Sequence, residues 1–520
     1  MRPLADRADA GVAREGLARL AVASPFLAFA SAHAGSLPAI FAGDRFFGDT
    51  LSQSEFVFTH GFAFDAWQRL VASPTPSTLY ALSVDTRALN LIDLLFFVMP
   101  ARVVFPGGLG VAVLHVVLVL LAMLSGYGCA RAVGASSRGA ALAALLAGTS
   151  GMVLRALEWE QLQQALIGPS LFYLAGLWRV LRGERGGFGM LTLGAALSAM
   201  VYWLSVVYLS VATLVLVVAH LGVVRRASMA RLAGAAIAAL IVVAPAAIPV
   251  AQFMAGPGAR VFTPRPWGSP LALDGVKAAG NSASVAVHLV DSIPLTTLCA
   301  PFSGWLLPAL PLAIFAAVAD RRARPWLFLL VLAGVMALGP TPGMPNPLYL
   351  AVDRWYPLAS RMYHPNRWMV VGVAGGCVAA ALAVDRWGRG GDFVVITLSL
   401  AAAIGGPWPM RTAPWPREMV VAFDGCSRVQ LATSAPPPSF EQRITTLAAV
   451  LWRPVDVGLP RGDPPPSCVV TTPDWPVPMP APRSAARTVS IPPDTLAGPK
   501  TSAFFLFRPP PPATPSRRPQ

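Results

Sequence analysis

Apolar stretches long enough to cross a lipid bilayer recur along this chain, and arginines return at every second gap between them. The stretches fall near 18–42, 108–130, 138–154, 161–180, 189–203, 205–222, 232–253, 304–319, 325–339, 368–384 and 393–409. A bilayer core takes about 20 apolar residues as a helix, because hydrocarbon offers no water to satisfy backbone N–H and C=O groups. The pattern therefore predicts an all-α membrane protein. A mean hydropathy of +0.58 and only 12% charged residues agree with it.

The formal net charge of +15 would suggest nucleic acid if it were evenly spread. Instead the alternate short gaps hold 17 basic residues, from Arg2 to Arg389, against 7 acids. The intervening gaps hold 11 of each sign, and the segment after 410 holds 12 basic and 7 acidic residues. Short arginine-dense gaps mark the cytoplasmic side of a membrane protein. The charge thus orients the chain and does not point to nucleic acid. The expectation is about 11 transmembrane helices, N-terminus inside and C-terminus outside. Residues 89–101 are apolar but short and contain Asp93 and Pro100. Spanning there would invert every later gap, so they read as an interfacial or re-entrant helix. The first stretch ends in Ala32-His33-Ala34, which resembles a signal-peptide cleavage site. The apolar run continues to Phe41, which favours a retained span; cleavage would leave ten helices with the same sidedness.

Residues 1–410 form the expected polytopic domain, with long outer segments at 43–107, 254–303 and 340–367. Inner gaps are all tight. Minimal connectors need few residues and long loops carry function, which places the working face outside. The tail, 411–520, holds 24 of the 51 prolines and reads as a small loose domain or a partly disordered end. Met419–Phe423 and Cys468–Val470 are candidate strands there, and 439–452 a candidate helix. Cys426 and Cys468 share this external segment, where a disulfide is permitted. Cys377 lies mid-span and Cys129 and Cys299 near helix ends, as packing residues; no Cys/His spacing suggests zinc.

No Asp, Glu, Lys or Arg falls deep in an expected span, and only His33, His115 and His220 ionise in or at the ends of one. Ion-coupled transporters generally keep charges within the membrane, so this scarcity argues against one. The charges gather at the outer interface. Asp44 and Asp49 follow the first span, where desolvation could raise a carboxylate's basicity; the alternative is plain solvation or a helix cap. The helical stretch 62–70 suits an interfacial position. Glu158, Trp159 and Glu160, with Gln161 and Gln164, supply carboxylates, amides and an indole suited to sugar hydroxyls and a pyranose face. They equally suit a solvated helix start with an interface tryptophan. Arg361 and Arg367 flank His364 above the tenth span, where the guanidinium fork matches a phosphate at the membrane surface or ordinary lipid headgroups.

The order of these elements resembles the GT-C type of membrane glycosyltransferase and the related multi-spanning bacterial proteins. Gly48-Asp49-Thr50 in a long external loop carries the likeness, with Val116–Ala132, the paired spans around Tyr202-Trp203 and Tyr208, and the stretch from Leu338 to Arg367. It extends over roughly 20–410 in layout. The resemblance implies transfer of a sugar from a polyprenyl-phosphate donor, with inversion, on the outer face. It implies Asp49 as general base, with Asp44 in reserve. Arg361, Arg367 and His364 would hold the lipid phosphate, and Glu158 and Glu160 would orient acceptor or metal. Some members need a divalent cation and others do not, so metal use is open. The alternatives are a transporter or flippase of lipid-linked intermediates, and a membrane scaffold whose tail recruits partners. The bias to Arg over Lys and to Ala, Gly and Pro suggests a GC-rich bacterium, hence an inner-membrane protein with a periplasmic tail.

Overall fold

The computed structural model describes residues 107–158, 165–202, 204–222, 226–255, 309–337, 346–355 and 365–405, parts of 15–47, residues 71–75 and 105, and the short strands and Cys426 of the tail. The protein is mostly helical. After α1 (Leu37–Phe41) and β1 (Arg45–Phe47) come α2 (Gly107–Val133), α3 (Ser137–Gly148), α4 (Gly151–Glu158), α5 (Gly168–Leu181), α6 (Gly187–Val201) and α7 (Ser205–Ala219). Then follow α8 (Arg226–Ala255), α9 (Ala309–Ala319), α10 (Arg324–Ala337), α11 (Pro347–Trp355), a 3-10 turn (Pro365–Trp368), α12 (Met369–Arg386) and α13 (Arg389–Gly405).

Among the described residues four helical stretches are long and apolar enough to cross a membrane: Ala112–Val133, Ser137–Leu154, Ala227–Pro245 and Met369–Arg386. Three shorter apolar helices, Gly187–Val201, Ser205–Ala219 and Arg324–Ala337, accompany them. Their burial sorts them into layers. Met369–Arg386 is 89% buried and Ser137–Leu154 is 94% buried, so these two form the centre; Ala227–Pro245, at 17%, lies on the rim. The reason lies in side-chain size. α3 and α12 are rich in Ala and Gly, and small residues let helix backbones approach closely where hydrophobicity alone drives nothing together. A Cβ on Gly139 would lie 2.5 Å from the Ala381 carbonyl oxygen, and one on Gly375 would lie 2.5 Å from that of Trp326. The rim helix α8 instead exposes Ile237, Leu240, Ile241 and Val242, as a lipid-facing surface would.

Ion pairs stitch one end of the bundle. The Ser136 side chain caps α3, and its hydroxyl and N–H both donate to the Asp385 carboxylate at the end of α12. Arg138, only 8% exposed, donates to the Gly388 carbonyl and to Asp392, each at 2.8 Å. Asp320 sits between α9 and α10 and receives the Arg322 guanidinium at 2.7 Å and Arg386 at 3.4 Å. Arg322 also reaches the Gly134 carbonyl. Trp178 stacks against Trp326 and edge-on against His220, bringing the ends of α5 and α7 to the same place. The arginine-bearing connections after α2, α5, α7, α9 and α12 therefore share one end. The acids among them, which counting had treated as dilution of a positive signal, pair with the arginines individually.

The tail is more ordered than the proline content suggests. Its strands β3 (Val429–Leu431), β4 (Val455–Val457), β5 (Cys468–Thr471), β6 (Arg487–Ile491) and β7 (Ser502–Phe507) form a five-stranded sheet in the order β4-β3-β5-β7-β6. β3 pairs in parallel with β4 and β5, and β7 pairs antiparallel with β5 and β6. Cys426 and Cys468 are joined by a disulfide. The expected strand at Cys468–Val470 is present; Met419–Phe423 and 439–452 lie outside the described residues.

Candidate functional site

The end of the bundle opposite the ion pairs holds a pocket lined by Met152, Leu166, Ile167, Ser170, Ser198, Val201, Tyr202, Tyr208, Arg367 and Val370. Three helices begin at it. Pro169 follows Gly168 at the start of α5, a position where the missing N–H costs nothing. Tyr208 belongs to the first turn of α7, and Arg367 sits in the 3-10 turn that runs directly into α12. The first N–H groups of each helix lack intrahelical partners, and the aligned peptide dipoles leave these ends positive. The α6 C-terminus supplies Ser198, Val201 and Tyr202 as the remaining wall.

Arg367 dominates the electrostatics. It is 9% exposed, and its Nε hydrogen has no acceptor among the described residues. Its Cζ lies 4.1 Å from the centre of the Tyr202 ring, a cation–π contact. No described carboxylate pairs with it, in contrast to the equally buried Arg138. The Tyr208 ring packs edge-on to Trp368 at 6.4 Å, and the Ser170 and Ser198 hydroxyls lie 3.4 Å apart. The pocket is small. The centre of a water molecule can range over about 20 Å³ within it, enough for one or two waters. It cannot enclose a sugar, but it can receive the oxygens of an anionic group lying at its mouth.

Of the residues singled out in the sequence, Arg367 is the one the structure builds into this pocket. Asp44 is half-buried at the start of β1, and its N–H donates to the Ala39 carbonyl at 2.8 Å. Glu158 is the last residue of α4. Asp49, Trp159, Glu160, Arg361 and His364 lie outside the described residues, as do the interfacial stretches 62–70 and 89–101. Among the described residues no group of three or more His, Cys, Asp or Glu is placed to hold a metal ion. His115 and Cys377 are buried within α2 and α12, and Cys129 is buried near the end of α2.

Sequence reasoning passed over Tyr202, Tyr208, Ser170 and Ser198 as site residues. The available signal was polar side chains placed within a turn of a span end, which lipid contact does not require. Comparison of the chain with family models, with curated proteins and with solved structures returns no match.

Proposed function

We propose that this chain is a multi-spanning glycosyltransferase that takes its sugar from a polyprenyl-phosphate donor. It works on the outer face of the inner membrane, on a cell-envelope or lipid-linked acceptor. In this reading about 11 helices cross the bilayer, the ion-paired end faces the cytoplasm, and the Arg367 end and the tail face outward. Alternation of arginine-rich gaps supports that orientation, and a disulfide in the tail suits an oxidising compartment.

The observation that carries the reading is the buried guanidinium of Arg367 without a counter-ion among the described residues, placed where three helix N-termini meet. A buried cation with no partner is costly, and is retained where a ligand supplies the opposite charge. A phosphate fits this donor set, since a guanidinium and helix N-termini both favour its oxygens. The acceptor hydroxyl attacks the anomeric carbon from the face opposite the phosphate, and the carbon–oxygen bond to phosphate breaks with inversion. Asp49, or Asp44 in its place, takes the hydroxyl proton. The electron pair goes to the departing phosphate oxygen, whose charge Arg367 offsets, with Arg361 and His364 as its expected companions. Glu158, Trp159 and Glu160 bind the acceptor.

The test is mass spectrometry of lipid-linked and envelope glycans from a strain lacking the gene. It is complemented with the wild type, Asp49→Asn or Arg367→Met. A glycan one sugar shorter, restored by the wild type and by neither variant, is the expected result. Complete glycans in every strain would remove the enzyme reading, and a precursor trapped on the inner leaflet would replace it with a flippase.

A further inference from the structure

The acidic loop after the first span is held by a strand from the far end of the chain. α1 ends at Phe41, and the next three N–H groups turn back on it: Ala42 to the Pro38 carbonyl, Gly43 to Ile40 and Asp44 to Ala39. Gly43 takes φ of 77°, the left-handed conformation that ends a helix and that glycine adopts without strain. This turn delivers Asp44 directly into β1. β1 then pairs antiparallel with β2 (Thr412–Pro414), with Arg45 opposite Pro414, Phe46 opposite Ala413 and Phe47 opposite Thr412. Arg45 reinforces the pair with Nη2 donating to the Thr412 carbonyl at 2.7 Å and Nε donating to the Thr412 hydroxyl at 3.2 Å. The Ser36 hydroxyl lies 3.5 Å from that of Thr412. A two-stranded ribbon is marginal alone, but this one packs against α2 and is clamped by a charged side chain.

We propose that the β1–β2 ribbon is a positioning device that makes the tail part of the candidate active site. Arg45 and Thr412 hold Asp44, and with it the start of the acidic loop, at the bundle. The tail contributes no reacting group, yet turnover depends on its first strand. This rests on the reading of the chain as a transferase whose acid lies in this loop. The physical reason is tolerance: a general base displaced by about 1 Å costs on the order of 10²-fold in rate. A loop of this length without an anchor samples far more than that. Asp44 is adjacent to Arg45, so little chain intervenes between clamp and carboxylate.

The pairing is tested first, in the full-length chain in native membranes. Phe46→Cys with Ala413→Cys should form a disulfide on mild oxidation, because those Cα positions face each other. Product is then read by glycan mass spectrometry in the complemented deletion strain. Arg45→Ala should lower product roughly tenfold or more, and the 46–413 disulfide should restore it. Arg45→Ala added to Asp44→Asn should cause no further loss, since a residue acting only through Asp44 has nothing left to position. Failure of the disulfide to form overturns the pairing and leaves the transferase reading untouched. Full product in Arg45→Ala, or losses that multiply in the double variant, overturns the positioning role while the reading stands. A deletion strain with complete glycans ends the reading, and this inference with it.

Discussion

Replacing Arg367 with methionine should remove function while leaving the fold as stable as before, or more so. The guanidinium is 9% exposed and its Nε hydrogen is unsatisfied among the described residues. An unmade buried hydrogen bond costs about 1–3 kcal/mol, and desolvating the cation costs several more. Against this stands the contact with Tyr202 at 4.1 Å, which contributes about 0.5–2 kcal/mol. Methionine fills similar volume with none of the polar cost, so the balance falls between zero and a gain of about 2 kcal/mol. Arg138 is the matched control. It is 8% exposed, but it is paired with Asp385 and Asp392 and donates to the Gly388 carbonyl. Arg138→Met strands two carboxylates and should lose about 3–5 kcal/mol. Thermal unfolding in detergent can be followed with a thiol-reactive dye, because Cys129 and Cys377 are buried and free whereas Cys426 and Cys468 are bridged. Cys299→Ser removes the remaining thiol. If Arg367→Met destabilises as much as Arg138→Met, Arg367 is a structural cation and the argument for an anion site fails.

Three further predictions follow from the packing and the ion pairs. Hydrogen bonds from the Arg322 guanidinium hold the Asp320 carboxyl below the usual carboxylate range. Its contribution to stability is present above the unfolded-state value of about 3.9 and is lost as pH falls through the lower folded value. The thermal gap between wild type and Asp320→Asn should therefore be open at pH 7 and shrink below about pH 4; a gap that widens on acidification would contradict the pairing. A Cβ on Gly176 would lie 2.4 Å from the Leu191 nitrogen, so Gly176→Ala should cost about 1–3 kcal/mol. Gly189→Ala, with nothing within 4 Å, should be neutral or slightly stabilising in the same assay. The Cys426–Cys468 bond closes a separation of 42 residues, worth about 4 kcal/mol in chain entropy. Reductant, or Cys426→Ser, should make the tail sheet sensitive to limited proteolysis at a protease concentration that spares the oxidised protein.

The helical character of the bundle was legible in the sequence because lipid imposes it residue by residue: length, apolarity and charge spacing are local properties. The alternation of arginines was local too, and the connections that carry it do share one end. Which helices lie central was less accessible. α3 and α8 are both apolar, and only the contacts decide that one is enclosed and the other faces outward. The acids Asp320, Asp385 and Asp392 looked incidental in a charge count, since a sum over a gap cannot say that Asp385 meets Ser136 across 249 residues. Arg367 stood out by its position above a late span. Its isolation from described carboxylates, and its company of Tyr202, Tyr208, Ser170 and Ser198, could not be seen, because those residues come from three other helix ends. The ribbon of β1 and β2 is the extreme case. Three residues after the first span and three at the start of the tail carry no pairing signal of their own, and strand pairing depends on which backbones the fold brings side by side. What composition and period determine is a property of each segment alone; what the tertiary structure decided is every property that needs two segments.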